Sequence, residues 1–354
     1  MDQRLKHILN WKKGIKEPPI TLELFPTFEC NQNCIFCPRK EIFGEEAKTL
    51  LSDKEILGLI DQASELGIQK VDVIGGGEPV KFKHYMQLFE KIKKYGMFGY
   101  LNTNFSLLKE GDLRKLVECK WDYIKISLHA PNSAHDFIVR KKGSFNSVIK
   151  NIGILNKYKK KLKSGLPVLE FGPVLFSQNY KYIIDFIKLA SKFSVKNIFF
   201  QPVIQYKNKK DFKLKKEQIN FLLKNLEKYE SLASKLNVNI NLRHILNNEL
   251  IEKSDKREIK NKSGVYCYEP WLHMTVWSNG TCSSCSFPCI GERIDIHNIP
   301  YNTTLRNIWF GNYFEKLRKK MKDVLVPEHC SRCVANVVLD NIQLKEKLKS
   351  KKTK

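Results

Sequence analysis

Over roughly the first 240 residues, short apolar runs alternate with longer segments in which apolar and polar positions are mixed. The short runs have the length of buried strands, and the longer segments repeat their apolar residues at helical spacing. The runs predict six strands, at residues 22–28, 71–74, 99–103, 123–128, 168–174 and 197–203. The segments between and after them predict helices at residues 52–66, 85–95, 111–119, 145–158, 180–193 and 214–236. Because crossover helices join parallel strands, this order predicts an α/β protein with a parallel sheet.

Composition narrows the class of protein. The chain has 354 residues, 42% of them hydrophobic, and no apolar run approaches the length of a membrane span. The N-terminus is too polar for a secretory signal, so we expect a cytoplasmic protein without a membrane span. The formal charge of +25 favours binding to an anionic partner, but only ten of the 62 basic residues are Arg. Because nucleic-acid readers also exploit the Arg fork, nucleic-acid binding stays an alternative that the sequence does not favour.

Nine of the ten cysteines lie in two clusters, which indicates metal ligands in a reducing compartment. The first cluster, Cys30, Cys34 and Cys37, follows the first predicted strand with the spacing C-x3-C-x2-C. Three thiolates leave one iron of a cuboidal iron-sulfur cluster open, and an open coordination position can do chemistry. The alternative is a zinc knuckle, but no fourth ligand follows at zinc-finger spacing.

A glycine-rich segment follows the second predicted strand and ends in Glu78 and Pro79. Glycines let a backbone approach a ligand closely, and carbonyl groups with a carboxylate accept hydrogen bonds from an ammonium group. Taken alone, the segment is a turn that can accept hydrogen bonds from an ammonium group.

With Phe36 before the third cysteine, these motifs resemble those of the radical S-adenosylmethionine (radical SAM) enzymes. The resemblance implies a partial (β/α)6 TIM-type barrel with its site at the carboxyl ends of the strands. It also implies a [4Fe-4S] cluster with SAM at the open iron, cleavage of SAM to a 5'-deoxyadenosyl radical, and an electron donor such as ferredoxin or flavodoxin.

The resemblance also implies contacts with SAM. The expected cofactor-binding residues are Phe36, Gly75, Gly76, Gly77, Glu78, Ser127 and Arg140. Residues 102–105 resemble a Thr-Asn-Gly turn of the family, but Phe105 replaces the glycine. Glu170 and Gln201 face the cavity or the outside of the barrel, and His129 and His135 are expected to be ordinary polar residues.

The second cysteine cluster resembles the SPASM or twitch extension of radical SAM enzymes, which carries auxiliary iron-sulfur clusters. The implied ligands of one auxiliary [4Fe-4S] cluster are Cys267, Cys285, Cys330 and Cys333, which leaves Cys282 and Cys289 as further candidates. Two clusters that share all six thiols are an alternative. Another is a zinc ribbon, because two C-x2-C pairs also make a good tetrahedral set.

These features predict an organisation and a function. The expected segments are an N-terminal arm (1–17), the barrel (18–242), a linker (243–263), the small Cys-rich auxiliary-cluster domain (264–340) and a solvated basic tail (341–354). We expect an enzyme that abstracts hydrogen to oxidise or dehydrogenate a sugar or another small molecule. The alternatives are a peptide maturase that crosslinks or epimerises its substrate, an RNA-modifying or nucleic-acid-binding protein, and a zinc-structured scaffold.

Overall fold

The computed structural model describes most of the chain. The described residues are 2–37, 39, 51–203, 211–247, 267–285, 294–295, 303–322 and 335–350. The predictions for Cys289, Cys330 and Cys333 lie outside the described residues.

Twelve strands lie within these ranges. They are β1 (Thr21–Phe25), β2 (Lys70–Val73), β3 (Phe98–Thr103), β4 (Tyr123–Ile126), β5 (Val168–Phe171), β6 (Val174–Leu175), β7 (Asn197–Ile198), β8 (Gln201–Pro202), β9 (Asn239–Ile240), β10 (His273–Trp277), β11 (Thr281–Ser283) and β12 (Ile294–Asp295). Ten of them form one sheet in the order β12-β11-β10-β1-β2-β3-β4-β5-β7-β9, and every pairing from β10 to β9 is parallel. The six strands predicted from the sequence are confirmed as neighbours in chain order.

The α-helices of the described residues follow the predicted alternation. They are α1 (Gln3–Lys12), α2 (Asp53–Leu66), α3 (Tyr85–Lys94), α4 (Glu110–Glu118), α5 (Ala134–Val139), α6 (Ser144–Lys161), α7 (Ile183–Lys192), α8 (Lys216–Lys224), α9 (Leu226–Lys235), α10 (Leu242–Asn247), α11 (Glu269–Leu272), α12 (Leu305–Trp309), α13 (Asn312–Lys322) and α14 (Ala335–Ser350). None of them is long and apolar enough to cross a lipid bilayer.

Alternation along the strands separates two environments. Side chains such as Leu24, Val73 and Ile126 are fully buried in the main hydrophobic core, which the helices cover. Their neighbours along each strand point to the opposite face. That face carries Glu23, Asp72, Tyr100, Lys125 and Glu170, so the inner face of the partial barrel is polar. We call it the lumen.

The single helix predicted at residues 214–236 is wrong, because Asn225 divides it into α8 and α9. The Asn225 amide nitrogen donates to the Phe221 carbonyl at 2.9 Å. This side chain competes with the backbone for a helical acceptor, as Asn often does at a helix end.

The fifth and sixth predicted strands are each interrupted. Residues 172–173 separate β5 from β6, and residues 199–200 separate β7 from β8. Pro173 has no N–H to donate to a ladder, which favours a break at that point. Beyond the breaks, β6 pairs with β8 in parallel. The chain thus continues both strands toward the carboxyl edge of the sheet.

The N- and C-terminal segments share a second core, with buried side chains from α1, α11, α13 and α14. The prediction of a solvated tail is wrong for residues up to 350, because α14 buries Leu344 and Leu348 in this core. These two residues lie one helical turn apart, so they face the same neighbours. The lysines of the last turn, Lys347 and Lys349, therefore flank the apolar contact that Leu348 makes with the second core.

Candidate active site

The loop that carries the first cysteine cluster leaves the carboxyl end of β1, and the glycine-rich loop leaves the carboxyl end of β2 beside it. The Gly77 N–H donates to the Thr27 carbonyl at 3.1 Å, and the Glu78 N–H donates to the Glu29 carbonyl at 2.7 Å. A Cβ on Gly77 would lie 2.0 Å from the Glu29 oxygen, and a Cβ on Gly75 would lie 1.7 Å from the Gly77 oxygen. Both positions require glycine because the backbones approach so closely.

The three thiols of the first cluster lie close enough to influence one another. Burial raises the pKa of Cys34, and the charges of Cys37 and Cys30 raise it further. Burial also raises the pKa of Cys30. The Gln32 N–H donates to its sulfur and lowers this pKa, because the hydrogen bond stabilises the thiolate. Three adjacent sulfurs are suited to a metal centre, because bound iron replaces the thiol protons and removes the mutual repulsion of the thiolates.

Backbone contacts hold the cysteine loop in place. The N–H groups of Asn33 and Ile35 donate to the carbonyls of Val139 and Ile138 at 3.1 and 3.0 Å. The Arg39 guanidinium donates to the Phe28 carbonyl at 2.5 Å. The loop therefore rests on the end of α5 and returns toward β1.

Glu78, predicted to bind an amino group, is fully engaged by protein donors. Its carboxylate accepts hydrogen bonds from the Thr103 hydroxyl at 2.5 Å, the Asn104 N–H at 2.7 Å and the Val80 N–H at 3.2 Å. Burial raises the pKa of Glu78 to about 7, although these three donors lower it. Glu78 thus ties the glycine-rich loop to the end of β3.

Phe105, where the family turn has a glycine, adopts a left-handed backbone conformation. Its φ is +59°, the left-handed conformation that glycine adopts at little cost. The ring is completely buried in the main core. The Asn104 side chain donates to Asn31 of the cysteine loop at 2.7 Å, so the turn still reaches the site.

The other predicted SAM contacts are spread around the same edge of the sheet. Phe36 is half-buried, with its ring 4.9 Å from the His129 ring in an edge-on arrangement. The Ser127 hydroxyl donates to Asn102 at 3.2 Å. Arg140 is exposed at the C-terminal end of α5, with a φ of +52°.

Glu170 points into the lumen, where it meets two residues that the sequence analysis missed. The Tyr123 hydroxyl donates to its carboxylate at 2.7 Å, and the Lys125 ammonium lies 3.5 Å from it. The Lys125 side chain crosses Gly172, where a Cβ would lie 2.3 Å from its Cε, and ends 4.3 Å from the Phe199 ring centre. The alternation along β4 could have identified Tyr123 and Lys125, because they alternate with the buried residues Ile124 and Ile126.

The described cysteines of the second cluster lie in different parts of the structure. Cys282, on β11, is completely buried in the main core, and burial raises the pKa of its thiol. Cys267 and Cys285 are half-buried, and Cys267 packs against the second core. Within the described ranges, no three Cys, His, Asp or Glu side chains surround a position for a single metal ion.

Two family models match the chain. One, described as the radical SAM superfamily, matches residues 24–190, and the other, the SPASM iron-sulfur cluster-binding domain, matches residues 267–334. This chain belongs to the radical SAM superfamily. It is a radical SAM enzyme with a SPASM domain, and its cofactors are SAM and [4Fe-4S] clusters, which the three adjacent thiols and the close glycine backbone described above fit.

Known proteins resemble this radical SAM enzyme over different shares of their length. A probable GTP 3',8-cyclase of Thermococcus kodakarensis is 30% identical over 49% of this chain and 54% of its own length. The mycofactocin maturase MftC of Mycolicibacterium smegmatis is 24% identical over 52% of this chain and 44% of its own. The alignments thus span about half of each of these two relatives.

Solved structures support the fold. The structure of Streptococcus suis SuiB bound to S-adenosylmethionine matches with a TM-score of 0.65 at 18% identity, over 93% of this chain and 75% of SuiB. SuiB bound to its precursor peptide SuiA matches with a TM-score of 0.64 at 18% identity, over 88% of this chain and 70% of SuiB.

Proposed function

We propose that this radical SAM enzyme modifies a peptide. The observation that carries the proposal is the parallel pairing of β10, from the SPASM segment, with β1, which leads into the cysteine loop. The SPASM segment and the radical site therefore belong to one sheet. SuiB, which has this fold and binds a precursor peptide, and the maturase MftC support this function better than oxidation of a sugar.

Bound cofactors supply the radical that abstracts hydrogen, and the residues of the chain arrange the site. Gly75 and Gly77 allow the two loops to touch, Glu78 fixes the end of β3, and the lumen beneath them holds the substrate. An electron donor such as ferredoxin or flavodoxin reduces the radical cluster.

The lumen also argues against GTP, the compound in the name of the Thermococcus relative. Its charged groups on β1, β2, β4 and β5 include three carboxylates, Glu23, Asp72 and Glu170, and the ammonium group of Lys125. Lys70, on β2, adds a second ammonium group, which lies 2.9 Å from the Asp72 carboxylate. A triphosphate needs a surplus of cationic donors to offset its charge. This lumen instead suits a substrate with little net negative charge.

The test uses anaerobically reconstituted, reduced enzyme with SAM. Three additions are compared: GTP, a neutral sugar, and a defined pool of linear peptides that together contain every proteinogenic side chain. We expect only the peptide pool to raise 5'-deoxyadenosine formation above the level with SAM alone, together with a mass change in at least one peptide. A variant with Cys30, Cys34 and Cys37 changed to Ala is the control and should show neither effect.

Deuterated peptide adds a direct readout, because hydrogen abstraction would move deuterium into 5'-deoxyadenosine. Stimulation by GTP or by the sugar, with the peptide pool inert, would reject the proposal. Loss of all SAM cleavage in the parent would instead question the reconstitution of the cluster.

A further inference from the structure

A chain of buried hydrogen bonds connects the cysteine loop to the first turn of α6. The Gln32 side chain, between the first two cysteines, donates through Nε2 to the Ser144 hydroxyl at 2.8 Å. The His135 Nε2 lies 3.2 Å from the same hydroxyl, and its Nδ1 accepts the His129 N–H at 3.2 Å. Gln32, Ser144 and His135 are all buried.

The backbone N–H of His129 sets the direction of this chain. Because His135 Nδ1 accepts a hydrogen bond, the neutral ring carries its proton on Nε2 and donates it to Ser144. Burial lowers the pKa of His135 to about 4, so the ring is neutral at ordinary pH. Ser144 then accepts from both His135 and Gln32, and the Gln32 carbonyl oxygen accepts a hydrogen bond from the protonated Cys34 thiol at 3.8 Å.

The chain is not needed to join α5 to α6. The Asp136 carboxylate already fixes that connection by accepting the N–H groups of Gly143 at 2.6 Å and Phe145 at 2.7 Å. A buried polar network is costly unless it is satisfied, and apolar side chains often stabilise a core equally well. The part of the molecule that these hydrogen bonds orient is therefore Gln32 and the loop around it.

We propose that His135 and Ser144 are positioning residues for the cysteine loop, which they hold through Gln32 in the conformation that binds the radical cluster. Groups behind a metal ligand set its orientation and tune the metal. Here the Gln32 backbone N–H donates to the Cys30 sulfur at 3.4 Å, and Ser144 with His135 holds the Gln32 side chain in place. The proposal rests on membership of the radical SAM superfamily and not on the peptide substrate.

The experiment compares full-length, anaerobically reconstituted variants. Ser144→Ala removes the shared acceptor, Ser144→Thr keeps it, and Ser147→Ala removes another hydroxyl one turn along α6, where it donates to the Gly143 carbonyl. His135→Phe is a second variant that breaks the chain at its other end. The readouts are iron content, the part of the electron paramagnetic resonance spectrum that responds to SAM, SAM cleavage without substrate, and the melting temperature.

We expect Ser144→Ala and His135→Phe to change the SAM-responsive spectrum and to slow SAM cleavage about tenfold. Ser144→Thr should restore both, and Ser147→Ala should match the parent. The proposal is overturned if Ser144→Ala keeps the parental spectrum and cleavage rate. It is also overturned if only the melting temperature falls while the folded protein keeps the parental spectrum, because the chain then serves stability alone.

Discussion

Gly77 and Glu29 are in direct backbone contact, since the Glu29 carbonyl oxygen would lie 2.0 Å from a Cβ on residue 77. The same oxygen accepts the Glu78 N–H at 2.7 Å. The glycine-rich loop and the cysteine loop are thus locked side by side, and their contact leads to the first prediction.

Gly77→Ala should separate the two loops, because neither backbone can move without losing its hydrogen bonds. We expect strongly reduced SAM binding and SAM cleavage, measured by equilibrium dialysis and by 5'-deoxyadenosine formation. Gly58→Ala is the control, because a Cβ at this position in α2 meets nothing within 4 Å. It should keep full activity and stabilise the helix by about 0.5–1 kcal/mol. Normal SAM binding by Gly77→Ala would contradict this role of the contact.

Glu78 should make stability depend on pH. Its pKa is about 7 in the folded protein, against 4.5 for an unperturbed Glu side chain, so the folded state holds the proton more tightly. Stability from this group is full below about pH 4.5 and is lost as pH rises through 7, by about 3 kcal/mol in total. Urea unfolding at several pH values should therefore show a steeper loss for the parent than for Glu78→Gln. Parallel pH profiles for the two proteins would refute the prediction.

Phe105→Gly should destabilise the protein although it places glycine at a left-handed position. Relief of backbone strain contributes about 1–2 kcal/mol, but loss of the buried ring costs about 3–5 kcal/mol. We expect a net loss of about 1–4 kcal/mol in chemical denaturation. The control is Lys120→Gly, at a φ of +54° on an exposed side chain, which should not destabilise. Equal effects of the two substitutions would show that burial of the Phe105 ring does not matter.

Arg318→Lys should loosen α1 from the C-terminal segment. The buried guanidinium donates to the Pro270 carbonyl at 2.9 Å and to the Trp309 carbonyl at 3.0 Å. It also lies 4.6 Å from the Trp11 ring centre and 4.3 Å from that of Trp309. Lysine cannot reproduce this planar stacking and fork, so we expect a loss of about 2–3 kcal/mol and faster proteolysis near α1.

The control for this variant is Lys16→Ala, which removes an exposed ion pair with Glu315. An exposed pair contributes at most about 1 kcal/mol. Proteolysis of Arg318→Lys at the rate of this control would count against the role of Arg318.

The iron content should separate the two kinds of cluster. We expect about eight irons per parent chain and about four after Cys30, Cys34 and Cys37 are all changed to Ala, if one auxiliary cluster is present. Iron and sulfide analysis measures this directly. A remainder of about eight irons in the variant would indicate two auxiliary clusters. Zinc without sulfide would contradict the iron-sulfur assignment altogether.

Much of the barrel was predictable because its determinants are local. The apolar runs around Leu24, Val73 and Ile126 have the period and length of buried strands, and glycines at 75 and 77 mark a close backbone approach. The spacing of Cys30, Cys34 and Cys37 likewise needs no distant information. The resemblance to the radical SAM superfamily rests on these adjacent residues.

The partners of each side chain depend on contacts between distant parts of the chain, and only the tertiary structure decided them. Sequence spacing could not show that Thr103 and Asn104 would occupy the Glu78 carboxylate, or that Ser144 would lie against Gln32. The pairing of β10 with β1 and the packing of Leu348 near α1 join residues more than 200 positions apart. Local patterns determine which elements form, because they depend on neighbouring residues. Three-dimensional packing determines which polar groups meet, because burial and hydrogen bonding act on whatever the fold brings together.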